Sequence, residues 1–147
     1  SAQTRAFIAG IRGVTTGSAT GIPVLIDSNG QLGTVSSSGQ VKQEISDMAE
    51  ASSVLAQLRP VTFRYKAHDG GPLQFGLIAE EVAAVAPELV ARKADGSIET
   101  VYYQHLPPML LNEWQKQQRT IDAQAARIDS LERDIAMLKD LVMRSAR

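Results

Sequence analysis

The chain contains no cysteine, which excludes disulfides and thiolate-held metals. Histidine is nearly absent too: His68 and His105 sit in unrelated contexts, and neither has a second ligand four positions on. No metal site and no cofactor is expected. Neither sign of charge dominates, with 15 Lys and Arg against 16 Asp and Glu. A nucleic-acid partner would call for a basic excess and a membrane surface for a basic amphipathic face, and the chain has neither. No apolar run is long enough to span a bilayer, and the N-terminus lacks the basic start and apolar stretch of a signal peptide. Aromatic residues make up only 5% while apolar residues reach 44%, so any core is built from Val, Leu, Ile and Ala. Such a core is modest, and association with further chains is expected. The opening "SAQTRAF", without a methionine, reads as the continuation of a longer protein whose targeting signal would lie upstream.

What is present falls into three zones. Residues 1–36 are rich in Gly, Ser and Thr and carry almost no charge. "IPVLIDSNGQLGTV" reads as a strand over Val24 to Ile26, a turn on Asn29-Gly30, and a strand over Leu32 to Val35, since both turn residues tolerate positive φ. A strip like this cannot bury a core alone; it fits the end of a stacked or intertwined β-stalk, and otherwise a flexible linker. Residues 37–106 form the compact zone. Val41, Ile45, Met48, Leu55 and Leu58 fall near one helical face, which Pro60 ends. "VTFRYK" alternates as a half-buried strand, "HDGGP" is a loop, and "LQFGLIAEEVAAVAP" is a short strand leading into a helix that stops near Pro87. "ELVARKADGSIETVYY" is a hairpin turning on Asp95-Gly96. The fold class is α+β with a small antiparallel sheet.

From Gln104 onward the chain reads as one long helix, opened by Pro107 and Pro108, where a missing N–H costs little. Residues 107–147 carry a heptad seam. Trp114, Ile121, Ile128, Ile135 and Val142 occupy a, and Gln117, Gln124, Leu131, Leu138 and Ser145 occupy d. Arg127 and Asp134 at g oppose Glu132 and Lys139 at e of the next heptad in a parallel coiled coil. The other reading is a helix packed back on its own domain.

Most candidate sites dissolve on inspection. Glu80 and Glu81 diverge by about 100 degrees on a helix and read as a solvated edge. "GGP" and "GIRG" lack the spacing of a phosphate-cradling loop. "SSSGQVKQEI", residues 36–45, is different. Ser37-x-x-Gln40 fits a capping box, with Ser37 as the N-cap. Helical side chains lean toward the N-terminus, so Lys42 can also reach back toward Ser37. A partly buried helix start would desolvate the amine and add the positive end of the macrodipole, both favouring the neutral base that a serine nucleophile needs. Such a pair requires no histidine.

Taken together, "SSGQVKQEI", "LRPVTFRYK", "FGLIAEEVAAVAPELV" and "ETVYYQHLPPML" resemble, in order and spacing, the C-terminal intramolecular chaperone domain of phage tailspikes and tail fibres. This self-cleaving family includes the endosialidase chaperone domain, and the resemblance covers residues 34–147. It implies a homotrimer that guides an upstream β-stalk of the same chain and then releases itself by autoproteolysis. The implied scissile bond joins Ser36 and Ser37, with Ser37 as nucleophile and Lys42 assisting. The family pattern often has Asp after the serine and Arg two positions before the lysine, where this chain has Ser38 and Gln40. It also implies a place on a virion tail fibre or bacterial cell surface, after folding in the host cytoplasm. By the residues alone, β-branched a positions with Leu at d favour two strands, although polar layers at Gln117 and Gln124 can reset that number. A structural trimerisation cap that is never cleaved is the alternative.

Overall fold

Two hairpins use one turn device. In the computed structural model, which describes residues 5–67 and 70–146, β1 (Leu25–Ile26) pairs antiparallel with β2 (Leu32–Gly33), Ile26 opposite Leu32. Between them the Asp27 carboxylate accepts the N–H groups of Asn29 and Gln31, each at 2.9 Å. The Gly30 N–H donates to the Asp27 carbonyl at 3.0 Å, and Gly30 alone takes a positive φ, +84°. Sequence reasoning gave Asn29 a positive φ as well. A three-residue loop, a type I turn closed by one left-handed residue, needs only the glycine. The second hairpin repeats the device with Gly96 at φ +82°, Asp95 accepting from the Ser97 N–H at 2.9 Å, and Lys93 bonded to Ser97.

The chain divides into two units, Ser1–Ile45 and Ser46–Arg147. In the first, every described residue is exposed, including Ile8, Ile26 and Val35. As expected of this strip, it buries no core of its own.

The helix expected across residues 41–58 does not form as one element. A single 3₁₀ turn spans Gly39–Val41, and a separate 3₁₀ helix spans Ala49–Gln57. Glu44 between them and Ala49 at the start of the second adopt φ of 54° and 45°, which breaks any continuous right-handed helix. Val41 and Ile45 are exposed, so these two have no surface to pack on, whereas Met48, Leu55 and Leu58 of the same expected face pack against the core. Leu58 then turns extended, with φ −77° and ψ 143°, and ends the helix two residues ahead of Pro60.

In the second unit β3 (Val61–Phe63) pairs antiparallel with β4 (Gln74–Gly76). His68 and Asp69 of the expected loop lie outside the described residues. Helix α1 (Ala79–Val85) follows and ends at Ala86, just before the Pro87–Leu89 turn. Strand β5 (Val90–Arg92) pairs with β6 (Ile98–Val101), with a bulge at Ala91/Arg92. The single small sheet of the sequence reading is therefore two separate two-stranded ribbons. Val82 of α1, Ala86, Leu89, Val90, Val101 and Met109 form the buried core, flanked by Met48, Val54, Leu55, Leu58 and Leu106. Tyr103 joins the two halves of this unit: its hydroxyl accepts the Leu77 N–H at 2.9 Å.

Helix α2 runs from Leu106 to Ser145, 40 residues or about 60 Å, with the prolines in its first turn. Gln104 and His105, expected as helix, fall in a 3₁₀ turn, Tyr103–His105, instead. Only the base of α2 packs on the unit, against the Ala49–Gln57 helix. Residues 117–146 are all exposed, with Ile121, Ile128, Leu131, Ile135, Leu138 and Val142 each about half to two-thirds open. The reading in which this helix folds back on its own domain is thereby excluded for that stretch.

Candidate functional site

Residues 36–42 build a small self-contained turn in the first unit. Ser38, in extended conformation, caps it: its Oγ accepts the Gln40 N–H at 3.3 Å, and its carbonyl accepts the Val41 N–H at 3.2 Å. The N-cap assigned to Ser37 is thus Ser38, one residue later, and its own N–H is taken by Ser36 rather than by a returning side chain. The Ser38 N–H in turn donates to Ser36 Oγ at 3.2 Å. After one turn Lys42 leaves in extended conformation, and its side chain crosses back so that Nζ donates to Ser37 Oγ at 3.2 Å. The two residues singled out in the sequence are brought together, and the Ser37 hydroxyl is not spent on capping. Ser is a strong N-cap type, and Ser38 caps.

Two expectations about the surroundings are corrected. Ser37 and Lys42 are exposed within this chain, so the burial expected to desolvate the amine is not supplied by it. The helix start is three residues long, too short for an appreciable macrodipole. Its N–H groups at Ser38, Gln40 and Val41 are engaged in the bonds above rather than pointed at a developing oxyanion. What the arrangement supplies chemically is proximity: a hydroxyl beside the peptide bond that precedes it, and an amine in hydrogen-bond reach.

A second serine–lysine contact escaped sequence reasoning because its members lie some 60 residues apart. Ser52 is fully buried. It donates to Glu113 at 2.6 Å and accepts from Asn112 Nδ2 at 2.6 Å. Lys116 Nζ donates to Glu50 at 2.7 Å, Ser53 Oγ at 2.7 Å and Glu113 at 3.0 Å. Hydrogen bonds to Glu50 and then Glu113 raise the Lys116 pKa, the opposite of what a base requires. The Glu113 carboxyl is held below its ordinary range by Ser52 and then Lys116. This cluster is a polar fastening between the base of α2 and the Ala49–Gln57 helix.

The other candidates stay bland. Glu81 pairs with Arg59 through both carboxylate oxygens at the surface. His105 stacks against Tyr102, ring centroids 5.2 Å apart. Among the described residues no group of His, Asp and Glu is placed to hold a metal, and no helix is long and apolar enough to cross a membrane.

The structure is that of an α+β domain with small antiparallel ribbons and a long C-terminal helix. Residues 37–91 match the model of a peptidase family described as chaperone of endosialidase. The resemblance is borne out over that segment, which begins on Ser37 itself and takes in the first three of the four sequence blocks. No curated protein matches the chain at a significant level.

Proposed function

We propose that this chain is an intramolecular chaperone that assembles as a homotrimer through residues 110–145, assists folding of an upstream β-stalk, and then releases itself by cutting between Ser36 and Ser37. The observation that carries the chemical part is the Lys42–Ser37 contact of 3.2 Å at the first residue of the matched segment. As the free amine, Lys42 takes the proton from Ser37 Oγ, which attacks the carbonyl carbon of Ser36. The tetrahedral intermediate collapses with cleavage of the C–N bond, and the proton returns to the Ser37 nitrogen. An ester now joins the Ser36 acyl group to Ser37 Oγ. Water hydrolyses it, leaving a Ser36 carboxylate and Ser37 as a new N-terminus. Each chain cuts once, so modest acceleration suffices and no substrate pocket is needed.

The exposed dyad fits this order of events. A base that must shed its proton works best away from bulk water, and neighbouring copies would supply that cover only after assembly. The exposed seam of α2 supports self-association, with Arg127 and Asp134 opposite in sign to Glu132 and Lys139 of a parallel partner. Three stalk chains pairing over distant segments meet a large kinetic barrier. A clamp that registers them locally raises their effective concentration. Its removal afterwards leaves the stalk kinetically trapped. The setting that fits is a virion tail fibre or a bacterial surface fibre, folded in the host cytoplasm before release. Residues 1–36 would be the end of the stalk, 37–106 the chaperone and autoprotease domain, and 107–147 the coiled coil.

Intact-mass spectrometry of an upstream-extended chain tests the chemistry. The parent should yield a fragment starting at Ser37, while Ser37→Ala and Lys42→Arg should stay whole. Arg keeps the charge yet cannot give up its proton. An uncut parent, or a Lys42→Arg chain that cuts at the parent rate, overturns the mechanism in favour of an uncleaved trimerisation cap.

A further inference from the structure

Ser38 uses all three of its polar groups within this one turn. Its N–H fastens the side chain of Ser36, whose carbonyl is the proposed target; its Oγ holds the Gln40 N–H; its carbonyl holds the Val41 N–H. The turn so closed is what reverses the chain between Ser37 and Lys42, five residues apart, and lets Nζ return to Oγ at 3.2 Å. Nothing else among the described contacts performs that reversal. The Lys42 N–H closes on the Gly39 carbonyl at only 3.4 Å, and Gly39, Gln40 and Val41 are all exposed, without apolar packing to hold the turn.

We infer that Ser38 is the positioning residue of the Ser37–Lys42 pair, setting the probability that the amine meets the hydroxyl. The inference rests on the Ser–Lys reading above but adds a residue that touches neither reacting atom. It acts through the turn: without the cap the segment frays, Lys42 swings into water, and the reactive fraction of conformers falls. Because a turn of three residues has no cooperative helix behind it, losing one cap bond opens it as a whole. Loss of an N-cap side chain reduces turn population by about fivefold on the scale measured for helices, and the cleavage rate should follow that population. What matters is an acceptor oxygen at position 38, not its charge, so Asn and Asp should both serve in place of Ser.

The test measures the self-cleavage rate of the upstream-extended, assembled chain by quantifying cut and uncut masses over time, for the parent, Ser38→Ala, Ser38→Asn and Ser38→Asp, with Ser37→Ala as the uncut control. Ser38→Ala is expected to slow cleavage about fivefold, and Ser38→Asn and Ser38→Asp to restore it to within about twofold of the parent, following the cap ranking. Light scattering on the same samples should find the same assembly in all. Three results overturn the inference while leaving the Ser–Lys reading intact: Ser38→Ala cutting at the parent rate, Ser38→Asn as slow as Ser38→Ala, or rescue by Ser38→Asp alone, which would make the residue electrostatic. An uncut parent removes the reaction itself and the positioning role with it, and is read separately in the parent sample.

Discussion

Gly76 is where a single added carbon should be felt most. A Cβ built there would lie 2.7 Å from the Tyr103 hydroxyl and 3.3 Å from Phe63 Cε1. The first distance is inside van der Waals contact, and the hydroxyl cannot simply swing aside, because it accepts the Leu77 N–H at 2.9 Å. Gly76→Ala therefore loses that bond, about 0.5–1.5 kcal/mol, and adds overpacking strain of about 1–3 kcal/mol. A total near 2.5 kcal/mol corresponds to a fall in Tm of roughly 10 °C for a unit of this size. Tyr103→Phe alone should cost only the bond, about 1 kcal/mol. In the double variant the clashing oxygen is gone. The nearest ring atom of residue 103, Cζ, then lies 3.8 Å from the new methyl, which is ordinary contact. The double should thus be more stable than Gly76→Ala, with a coupling of about 2 kcal/mol, inside the range found for touching residues. Thermal and urea unfolding of all four proteins at one protomer concentration makes the comparison. Additive effects, or a Gly76→Ala protein within about 0.5 kcal/mol of the parent, would refute the account of how Tyr103 ties the β3–β4 ribbon to the entry of α2.

Two further outcomes bear on assembly and docking. Ile128→Asp places a charge at an exposed a position of the seam and should convert a trimer seen by light scattering at micromolar concentration into monomers, with circular dichroism losing helix beyond residue 117; an unchanged mass, or a parent that is itself a stable dimer, removes the trimer. The fastening of α2 should respond to acid. The carboxyls of Glu113 and Glu50 sit below their ordinary values, Glu113 through Ser52 and Lys116, Glu50 through Lys116 and Ser53. Depressed carboxylates contribute stability above their unfolded pKa of 4.5 that is lost as pH falls through the folded value. Lys116, raised above 10.5, contributes below that value and loses it in strong alkali. Trp114, the single tryptophan and two residues from Lys116, reports the change: its emission should hold steady from about pH 6 to 9 and shift below about pH 4, and Lys116→Met should shrink the acid shift, leaving the part that the Ser52 bond holds on Glu113. A shift undiminished in Lys116→Met places the acid sensitivity elsewhere.

Some of this protein was determined by local sequence alone, because the forces involved act within a few residues. Asp27 through Gly30 and Asp95-Gly96 specify tight turns by side-chain acceptors and one left-handed glycine, and both hairpins form where those signals stand. The spacing by sevens from Trp114 to Val142 determined a seam on one long helix, and Pro107 and Pro108 its opening turn. The five-residue interval between Ser37 and Lys42 was enough to raise the dyad. Tertiary structure decided the rest. Val41 and Ile45 share a helical spacing with Met48, but both are exposed, and spacing stabilises a helix only where a surface receives it; positive φ at Glu44 and Ala49 breaks the run instead. Which serine caps the turn was settled by backbone conformation: Ser38 is the extended residue entering it, which frees Ser37 for Lys42. The Ser52–Asn112–Glu113–Lys116 fastening and the Tyr103–Leu77 bond join residues with no sequence signal for each other. Such contacts exist only once the core around Val82 and Met109 has brought distant segments within hydrogen-bond reach, because polar pairing at that separation follows apolar collapse and not local propensity.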